Sequence, residues 1–237
     1  MVGLKTHCKL TLVVRREGKE LQRYVHLATG NYNPTTSRIY TDLWNIDCGR
    51  RDSHRRHQPV QLANRFLRIR KLQLLTGRAT QPQKAHHQTS SSARPLTPRA
   101  GRTGRIIAKL NSLTDLAVIR ALYAASDAGV SIDLIVRGIC MLKPGIPEAS
   151  KNIRVRSIVG RFLEHSRLFY FGNNGKDEMF IGSADWMFRN LSRRVEVLAP
   201  IKDVRIKQFL KDSVLASYLR DNVNARELQP DGSYLRG

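Results

Sequence analysis

The chain has 237 residues, of which 41% are hydrophobic, and it carries a net charge of +22. This size and composition allow a buried core in one large domain or two smaller ones, which excludes a fibrous or wholly disordered protein. No apolar run approaches the roughly 18 residues of a membrane helix, and three cysteines without metal-type spacing favour a reducing compartment, by default the cytoplasm.

The first predicted element is a β-hairpin. Residues 8–15 are rich in β-branched side chains, residues 16–20 form a polar turn, and residues 21–27 return as a second strand. A loop rich in Asn, Thr and Gly follows at 28–36. The N-terminus lacks the layout of a signal peptide, so the hairpin is interpreted as part of the folded protein.

Residues 44–103 form an anomalous basic segment. Between residues 50 and 105, 14 Lys or Arg face a single acid, Asp52, so this part supplies +13 of the net charge. Residues 81–98 are low in complexity and are predicted to be disordered. The segment is interpreted as a basic linker, as a nucleic-acid-binding arm, or in a third way that depends on the family resemblance below.

Regular patterns resume near residue 104 and predict a compact α/β domain that extends to residue 237. A helix is predicted over 112–128, with Ser112 or Thr114 as its N-cap and Gly129 as its C-cap. The other predicted elements are strands at 106–110, 130–136, 153–159 and 194–198, a hairpin of 168–171 with 179–181 around a turn at 172–175, and a helix at 204–219.

One small pattern occurs twice, about 158 positions apart. His7 is followed two residues later by Lys9, and His165 is followed two residues later by Arg167. In a strand this spacing places both side chains on one face, a nucleophile or acid beside a phosphate-binding charge. Small-residue turns with a hydroxyl and an Asn or Asp follow each copy, namely Thr29-Gly30-Asn31-Tyr32 and Gly182-Ser183-Ala184-Asp185-Trp186. The duplication resembles the phospholipase-D-like superfamily, which builds one active site from two halves.

Several longer passages resemble the polyphosphate kinases that work through a phosphohistidine. They cover residues 1–43 and about 103–237, and they include Val2-Gly3-Leu4-Lys5-Thr6-His7-Cys8-Lys9, Arg38-Ile39-Tyr40-Thr41-Asp42, Leu134-Ile135-Val136-Arg137-Gly138, Phe162-Leu163-Glu164-His165-Ser166-Arg167 and Gly182-Ser183-Ala184-Asp185-Trp186-Met187. The resemblance implies an α/β fold with a phospholipase-D-like domain, a mixed sheet flanked by helices, at 104–237. Residues 1–43 would be the remnant of an incomplete first phospholipase-D-like domain, followed by the anomalous segment at 44–103.

The resemblance also implies roles for single residues. His7 would be phosphorylated by ATP, His165 would be its partner across the domain interface, Tyr40 would stack on the adenine and Arg137 would hold nucleotide phosphates. ATP or ADP and inorganic polyphosphate would be the partners, in a homo-oligomer that uses Mg²⁺ at positions upstream of this chain. Nucleic acid is not an expected partner, and the protein would be cytoplasmic, alone or membrane-associated as part of a complex.

The residue types suit these implied roles. Neutral imidazole attacks phosphorus at neutral pH, and phosphoryl transfer needs charge around the equatorial oxygens, which Lys9, Arg137 and Arg167 can supply. His165 can exchange a proton at the bridging oxygen. Three further residues, Asn31, Ser183 and Asp185, are expected to orient the histidines, and His26 has either a structural hydrogen bond or a catalytic role.

Two departures from the family pattern affect the interpretation. The strands that should precede His7 are absent, as are the family's magnesium positions, so the chain by itself is expected to have little activity. The resemblance also stops abruptly after Tyr40-Thr41-Asp42-Leu43 and returns near residue 100, which suggests translation in a shifted reading frame over residues 44 to about 100. Retranslation of the DNA in the other frames tests this third interpretation of the basic segment, because one of them should restore acidic helices.

Two other functions remain open from the sequence. A phospholipase-D-like phosphodiesterase or nuclease also uses paired histidines, although its motifs usually have Lys where this chain has Arg167. A non-catalytic protein that binds polyanions through residues 50–105 would show steep salt dependence. Phosphohistidine formation from ATP favours the kinase over both.

Overall fold

In the computed structural model, the structure describes residues 4–48, 104–172 and 177–236. The first range contains β1 (Lys5–Thr6), β2 (Lys9–Glu17), β3 (Glu20–Ala28), a 3₁₀ turn (Thr36–Arg38), β4 (Tyr40–Thr41) and β5 (Trp44–Cys48). Strands β2, β3 and β5 form an antiparallel sheet in that order, so the predicted hairpin is confirmed. The segment interpreted as anomalous and disordered begins at residue 44, but residues 44–48 form the paired strand β5, so that prediction is wrong there. Predictions on the turn at 173–175 and on residues 49–103, including the shifted frame, lie outside the described residues.

The second part of the chain forms an eight-stranded mixed sheet. Its strands are β6 (Arg105–Leu110), β7 (Ser131–Val136), β8 (Ile153–Ile158), β10 (Leu168–Gly172), β11 (Glu178–Gly182), β13 (Leu198–Pro200), β14 (Ala225–Leu228) and β15 (Tyr234–Arg236). Their order is β13-β11-β10-β6-β7-β8-β14-β15, with the β6–β7 and β7–β8 pairs parallel and the others antiparallel. Two short strands outside this sheet are β9 (Leu163–Glu164) and β12 (Arg194–Val195).

Helices cover both faces of the large sheet. Helix α1 (Leu116–Asp127) packs on one face through Val118, Ile119 and Leu122. On the other face lies one long helical stretch, α3 (Val204–Phe209), a π-helix (Leu210–Leu215) and α4 (Ala216–Arg220), together with Leu27 of the hairpin. A short helix, α2 (Phe188–Arg193), precedes β12. The predicted fold class, α/β with a mixed sheet flanked by helices, is confirmed.

Two local predictions are wrong in detail. The N-cap of α1 is Asp115, whose carboxylate accepts from the backbone N–H groups of Ala117 and Val118. Ser112 and Thr114 are not the cap, because the backbone here first bonds to neighbouring loops, as in the bond from Thr114 N–H to the Trp186 carbonyl. The strand expected at 194–198 is instead the two strands β12 and β13, which belong to different sheets.

Two short parallel pairs join the N-terminal part to the large domain. Strand β1 pairs with β12, and β4 pairs with β9, so segments far apart in sequence lie side by side. His7 directly follows β1, and its N–H donates to the Val195 carbonyl at 2.9 Å. His165 directly follows β9. The two pairs therefore bring each histidine to the junction of the two parts of the chain.

No helix within the described ranges combines the length and the apolar character needed to cross a membrane.

Candidate active site

His7 lies between a carboxylate and an ammonium group. Its Nδ1 is 2.9 Å from Oε2 of Glu196, and its Nε2 is 2.8 Å from Nζ of Lys9. Lys9 Nζ also donates to the His7 carbonyl at 2.7 Å. A carboxylate accepts and an ammonium donates, so these partners assign the proton to Nδ1 and leave the lone pair on Nε2. The Nε2 lone pair of His7 therefore accepts the hydrogen bond from Lys9.

His165 has the same arrangement with different residues. Its Nδ1 is 2.8 Å from Oδ1 of Asp42, and its Nε2 is 3.1 Å from Nη1 of Arg167. Arg167 Nη1 also donates to the His165 carbonyl at 2.9 Å. The proton again belongs on Nδ1, and Nε2 again faces a cation.

Each histidine takes its carboxylate from the other part of the chain. Glu196 lies 189 residues after His7, and Asp42 lies 123 residues before His165. Each carboxylate is in turn held by a hydroxyl from one of the small-residue turns, since Thr29 Oγ1 donates to Asp42 at 2.9 Å and Ser183 Oγ donates to Glu196. Neither histidine is fully oriented by its own half, so the position of each ring depends on contact between the two halves.

The turns also show why small residues occur there. Gly30 lies against the Asp42 carboxylate so closely that a Cβ at this position would overlap it. Any larger residue would displace the group that orients His165. The predicted supporting role of Ser183 is consistent with its hydrogen bond to Glu196, and remains a prediction.

The cations of both copies are buried and close enough to repel each other. Lys9 is 6% exposed and Arg167 is 3% exposed. Burial lowers the pKa of Lys9 to about 8, with Glu196 opposing the shift and the positive charge of Arg167 adding to it. Such a crowded pair of cations is a ready site for an anion, which would relieve the repulsion.

Arg167 is held rigidly by Asp185. Its Nε and Nη2 form a fork to the two carboxylate oxygens, at 3.2 Å and 3.0 Å. Burial alone would raise the pKa of Asp185, but the charge and hydrogen bonds of Arg167 hold it below the usual value. Asp185 also accepts from the backbone N–H of Asn111 at 2.8 Å, so the predicted supporting residue orients a cation, not a histidine.

Arg137 and Tyr40 lie at the edge of this cluster. Arg137 follows β7, and its Nε is 3.3 Å from the terminal amide group of Asn111, which follows the parallel strand β6. The carboxyl ends of parallel strands are the usual ligand-binding edge of an α/β sheet. The Tyr40 ring lies 4.9 Å from the His165 ring, tilted by 40°. Their nucleotide-binding roles remain predictions.

Two predicted supporting residues lie apart from the cluster. His26 Nδ1 is 2.8 Å from the Tyr32 hydroxyl, and its ring is 5.7 Å from that of Trp44, so its observed contacts belong to an aromatic group on the small sheet. Asn31 is exposed, and in the described part of the chain its side chain is not joined to either histidine. Asp42 and Glu196, the carboxylates that contact the two histidines, were not predicted from the sequence. For Glu196 the signal in the sequence was a single acid between Val195 and Val197. The structure shows that this acid is buried, with 1% of its surface exposed.

Within the described ranges no group of three or more potential His, Cys, Asp or Glu ligands lies together. The carboxylates of the cluster are already engaged by imidazoles and cations, as Asp42 and Glu196 are by the two histidines.

We expect Lys9 to titrate far below a free lysine. Its folded-state pKa of about 8 lies below the ~10.4 of an unfolded chain, so the unfolded state binds the extra proton between these values and stability rises with pH across that window. The ¹³Cε shift of Lys9, assigned with Lys9→Arg, measures the midpoint, and added tripolyphosphate should raise it. Lys211, whose pKa is raised by Tyr170 and Asp177, is the control. A Lys9 midpoint near 10 would contradict the geometry.

Comparison with known proteins agrees with this geometry. Residues 1–54 match the family description "Polyphosphate kinase C-terminal domain 1", and residues 89–237 match "Polyphosphate kinase C-terminal domain 2". Residues 55–88 lie between the two matched ranges, a shorter interval than the anomalous segment at 44–103.

Individual relatives match over the whole chain. The polyphosphate kinase of Synechocystis sp. is 50% identical over 249 aligned residues, covering 100% of this chain and 32% of the relative. That of Bacillus anthracis is 44% identical, covering 98% of this chain and 33% of the relative. The crystal structure of polyphosphate kinase from Porphyromonas gingivalis superposes with a TM-score of 0.73 at 32% identity, covering 100% of this chain and 36% of that one.

Fold and site thus define a two-part domain that presents paired histidines beside buried cations. The chain belongs to the polyphosphate kinase family. It spans about a third of the length of the relatives that it matches.

Proposed function

We propose that this chain carries the phosphoryl-transfer centre of a polyphosphate kinase, which moves the terminal phosphate of ATP reversibly to inorganic polyphosphate through a phosphohistidine. The observation that carries the proposal is the state of His7, with its Nδ1 proton held by Glu196 and its Nε2 lone pair directed at a buried cation. A neutral imidazole held in this tautomer is a phosphorus nucleophile that needs no further base.

The proposed reaction has two displacements. Nε2 of His7 gives up the hydrogen bond from Lys9 and its lone pair attacks the terminal phosphorus of ATP, the bond from that phosphorus to the bridging oxygen breaks, and ADP leaves with the electron pair. A terminal oxygen of polyphosphate then attacks the same phosphorus, and the N–P bond breaks to restore His7. Lys9 and Arg167, which lie beside the Nε2 atoms of the two histidines, would supply positive charge to the equatorial oxygens of the transferring group, and Glu196 would stabilise the imidazole ring once it becomes positive.

His165 is proposed as the second imidazole of the same reaction. Its Nε2 lies beside Arg167, and its Nδ1 is fixed by Asp42. In this position it can donate a proton to the oxygen that leaves from phosphorus or take one from the oxygen that attacks. Tyr40 and Arg137 are proposed to hold the adenine and the nucleotide phosphates.

The rest of the family's activity is proposed for a larger assembly. Because the chain spans about a third of its relatives, we propose that the isolated chain turns over slowly, since catalysis needs the reacting groups to be positioned closely. We further propose a cytoplasmic setting, alone or as part of a membrane-associated complex, and a homo-oligomer. The free thiols of Cys8 and Cys140 support a reducing compartment.

Labelled ATP tests the proposal. Incubation of the chain with ATP labelled in the terminal phosphate should give a labelled protein that is stable to alkali and labile to acid. His7→Gln should abolish this labelling, whereas His26→Gln, the matched histidine outside the cluster, should label like the parent. Labelling that survives His7→Gln would contradict the proposal, and cleavage of a phosphodiester without ATP would favour the hydrolase instead.

A further inference from the structure

One carboxylate oxygen behind the proposed centre connects three separate parts of the chain. Oε2 of Glu164 accepts from Lys109 Nζ at 2.9 Å, from Thr41 Oγ1 at 2.9 Å and from the Tyr218 hydroxyl at 2.7 Å. Lys109 belongs to β6 of the large sheet, Thr41 to β4 of the N-terminal part, and Tyr218 to α4. Glu164 therefore links the main sheet, the first half of the site and the long helix.

Lys109 makes the hydrogen-bonded cluster around Glu164 costly to break. It is 2% exposed, and a buried ammonium must be paired and hydrogen-bonded. Besides Glu164, it donates to Ser166 Oγ at 2.8 Å and lies 4.7 Å from the centre of the Tyr218 ring. Burial alone would raise the pKa of Glu164, but Lys109 and the hydroxyl donors hold it below the usual value, whereas burial lowers the pKa of Lys109 against the opposing charge of Glu164.

The same short strands carry the site residues on their other side. Glu164 directly precedes His165, and Thr41 lies between Tyr40 and Asp42. Successive side chains of an extended segment point to opposite sides. With Thr41 and Glu164 joined on one side, Asp42 and Tyr40 meet the His165 ring on the other.

We propose that Glu164 and Tyr218 are positioning residues for His165, which hold β4 against β9 so that the Asp42 carboxylate fixes the tautomer of the imidazole. They contact neither proposed reacting atom and act through Thr41 and Asp42. This proposal rests on the proposed function only in giving His165 a part in the reaction. The effect of Glu164 and Tyr218 on the tautomer of the His165 imidazole does not depend on that function.

The long helix is anchored so that Tyr218 reaches Glu164. Lys211 in its π-helical turn pairs with Asp177 at 3.0 Å, and Arg156 donates to the Leu219 carbonyl at 2.6 Å. These contacts fix the helix on either side of Tyr218. The helix therefore contacts the β4–β9 pair through the Tyr218 hydroxyl.

The test is the tautomer of His165 in Tyr218→Phe, read from its ¹⁵N ring shifts and assigned with His165→Gln. Phenylalanine keeps the ring beside Lys109 and removes the hydrogen bond to Glu164. Because bonds to charged groups are the stronger ones, we expect the ratio of the Nδ1-protonated to the Nε2-protonated form to fall about threefold or more. The matched control is Tyr170→Phe, since the Tyr170 hydroxyl donates to Asp177 at 2.7 Å and its ring lies 4.8 Å from Lys211 Nζ. This control should leave the His165 ratio unchanged.

Thr41→Val provides a second, nearly isosteric variant that removes the Glu164 contact from the other half, and it should shift the same ratio in the same direction. An unchanged His165 ratio in a folded Tyr218→Phe or Thr41→Val chain would overturn the proposal. Failure of both variants to fold would also overturn it, because the group would then be purely structural. The tautomer measurement needs no ATP. If the His165 tautomer shifts as expected but no phosphohistidine forms from ATP, the proposed function is refuted and the positioning role is not.

Discussion

Replacing Glu196 by Gln should abolish detectable phosphohistidine formation. The amide keeps the size of the side chain but removes the charge that holds the Nδ1 proton of His7. An amide can present its NH₂ group to Nδ1, and this would move the ring proton to Nε2 and occupy the attacking lone pair. In hydrolases that use a histidine fixed by a carboxylate, the equivalent exchange lowers the rate about 10⁴-fold through the wrong tautomer.

Two measurements separate this effect from damage to the fold. Labelling with ATP should fall below detection, and the ¹⁵N shifts of the His7 ring should report the Nε2-protonated form. The second measurement remains decisive if the isolated chain turns over slowly. Asp133→Asn, which removes another buried carboxylate from an ion pair with Arg105, is the matched control and should leave His7 unchanged. An Nδ1-protonated His7 in the Glu196→Gln chain would show that Glu196 does not fix the tautomer.

Local sequence patterns were sufficient for most of the elements and for the two pairs of a histidine with a cation. The β2–β3 hairpin, the helix before Gly129 and the long C-terminal helix follow from hydrophobic period and turn residues within short windows. The two His-x-cation copies do place both side chains together, although the histidines lie in links between strands and not within them. The two-residue spacing alone predicts that each histidine lies beside its cation, so no knowledge of tertiary contacts was needed.

The groups that orient those side chains could not be found in this way. Glu196 and Asp42 reach histidines 189 and 123 residues away, and no local window contains both partners. Lys109 also looks like an ordinary strand cation, and only the fold shows that it is buried against Glu164. The single strand predicted at 194–198 failed for a related reason, since β12 leaves the large sheet to pair with β1 and carries Glu196 into the site.

The exchange of carboxylates between halves has a consequence for assembly. Because His7 depends on Glu196 and His165 depends on Asp42, separating the two parts would disorder both imidazoles at once. The β1–β12 and β4–β9 pairs are only two residues long each, so they cannot maintain the register by backbone bonds alone. Side-chain hydrogen bonds, such as that from Thr41 to Glu164, help to fix the register of these strand pairs.

The largest loss of stability should come from Asp185→Asn. Arg167 is 3% exposed, and its guanidinium is neutralised mainly by the fork to Asp185, so the variant leaves a buried cation without its ion-pair partner. Breaking a buried pair in this way typically costs about 3–5 kcal/mol in the free energy of unfolding. Urea denaturation at pH 7 measures the loss. Asp177→Asn breaks a pair that is more than a third exposed to solvent, and should cost at most about 1 kcal/mol.

The pH dependence distinguishes a lost charge from lost packing. The pKa of Asp185 is lower in the folded chain than in the unfolded chain, so its stabilising effect is fully present above the unfolded value of ~3.9 and is lost as the pH falls through the folded value. Protonated Asp185 resembles the amide of the variant. The difference in unfolding free energy between the parent and Asp185→Asn should therefore be constant from pH 7 to about 5 and shrink below ~3.9. A difference that persists unchanged into acid would mean that shape at this position, not charge, holds Arg167 in the site.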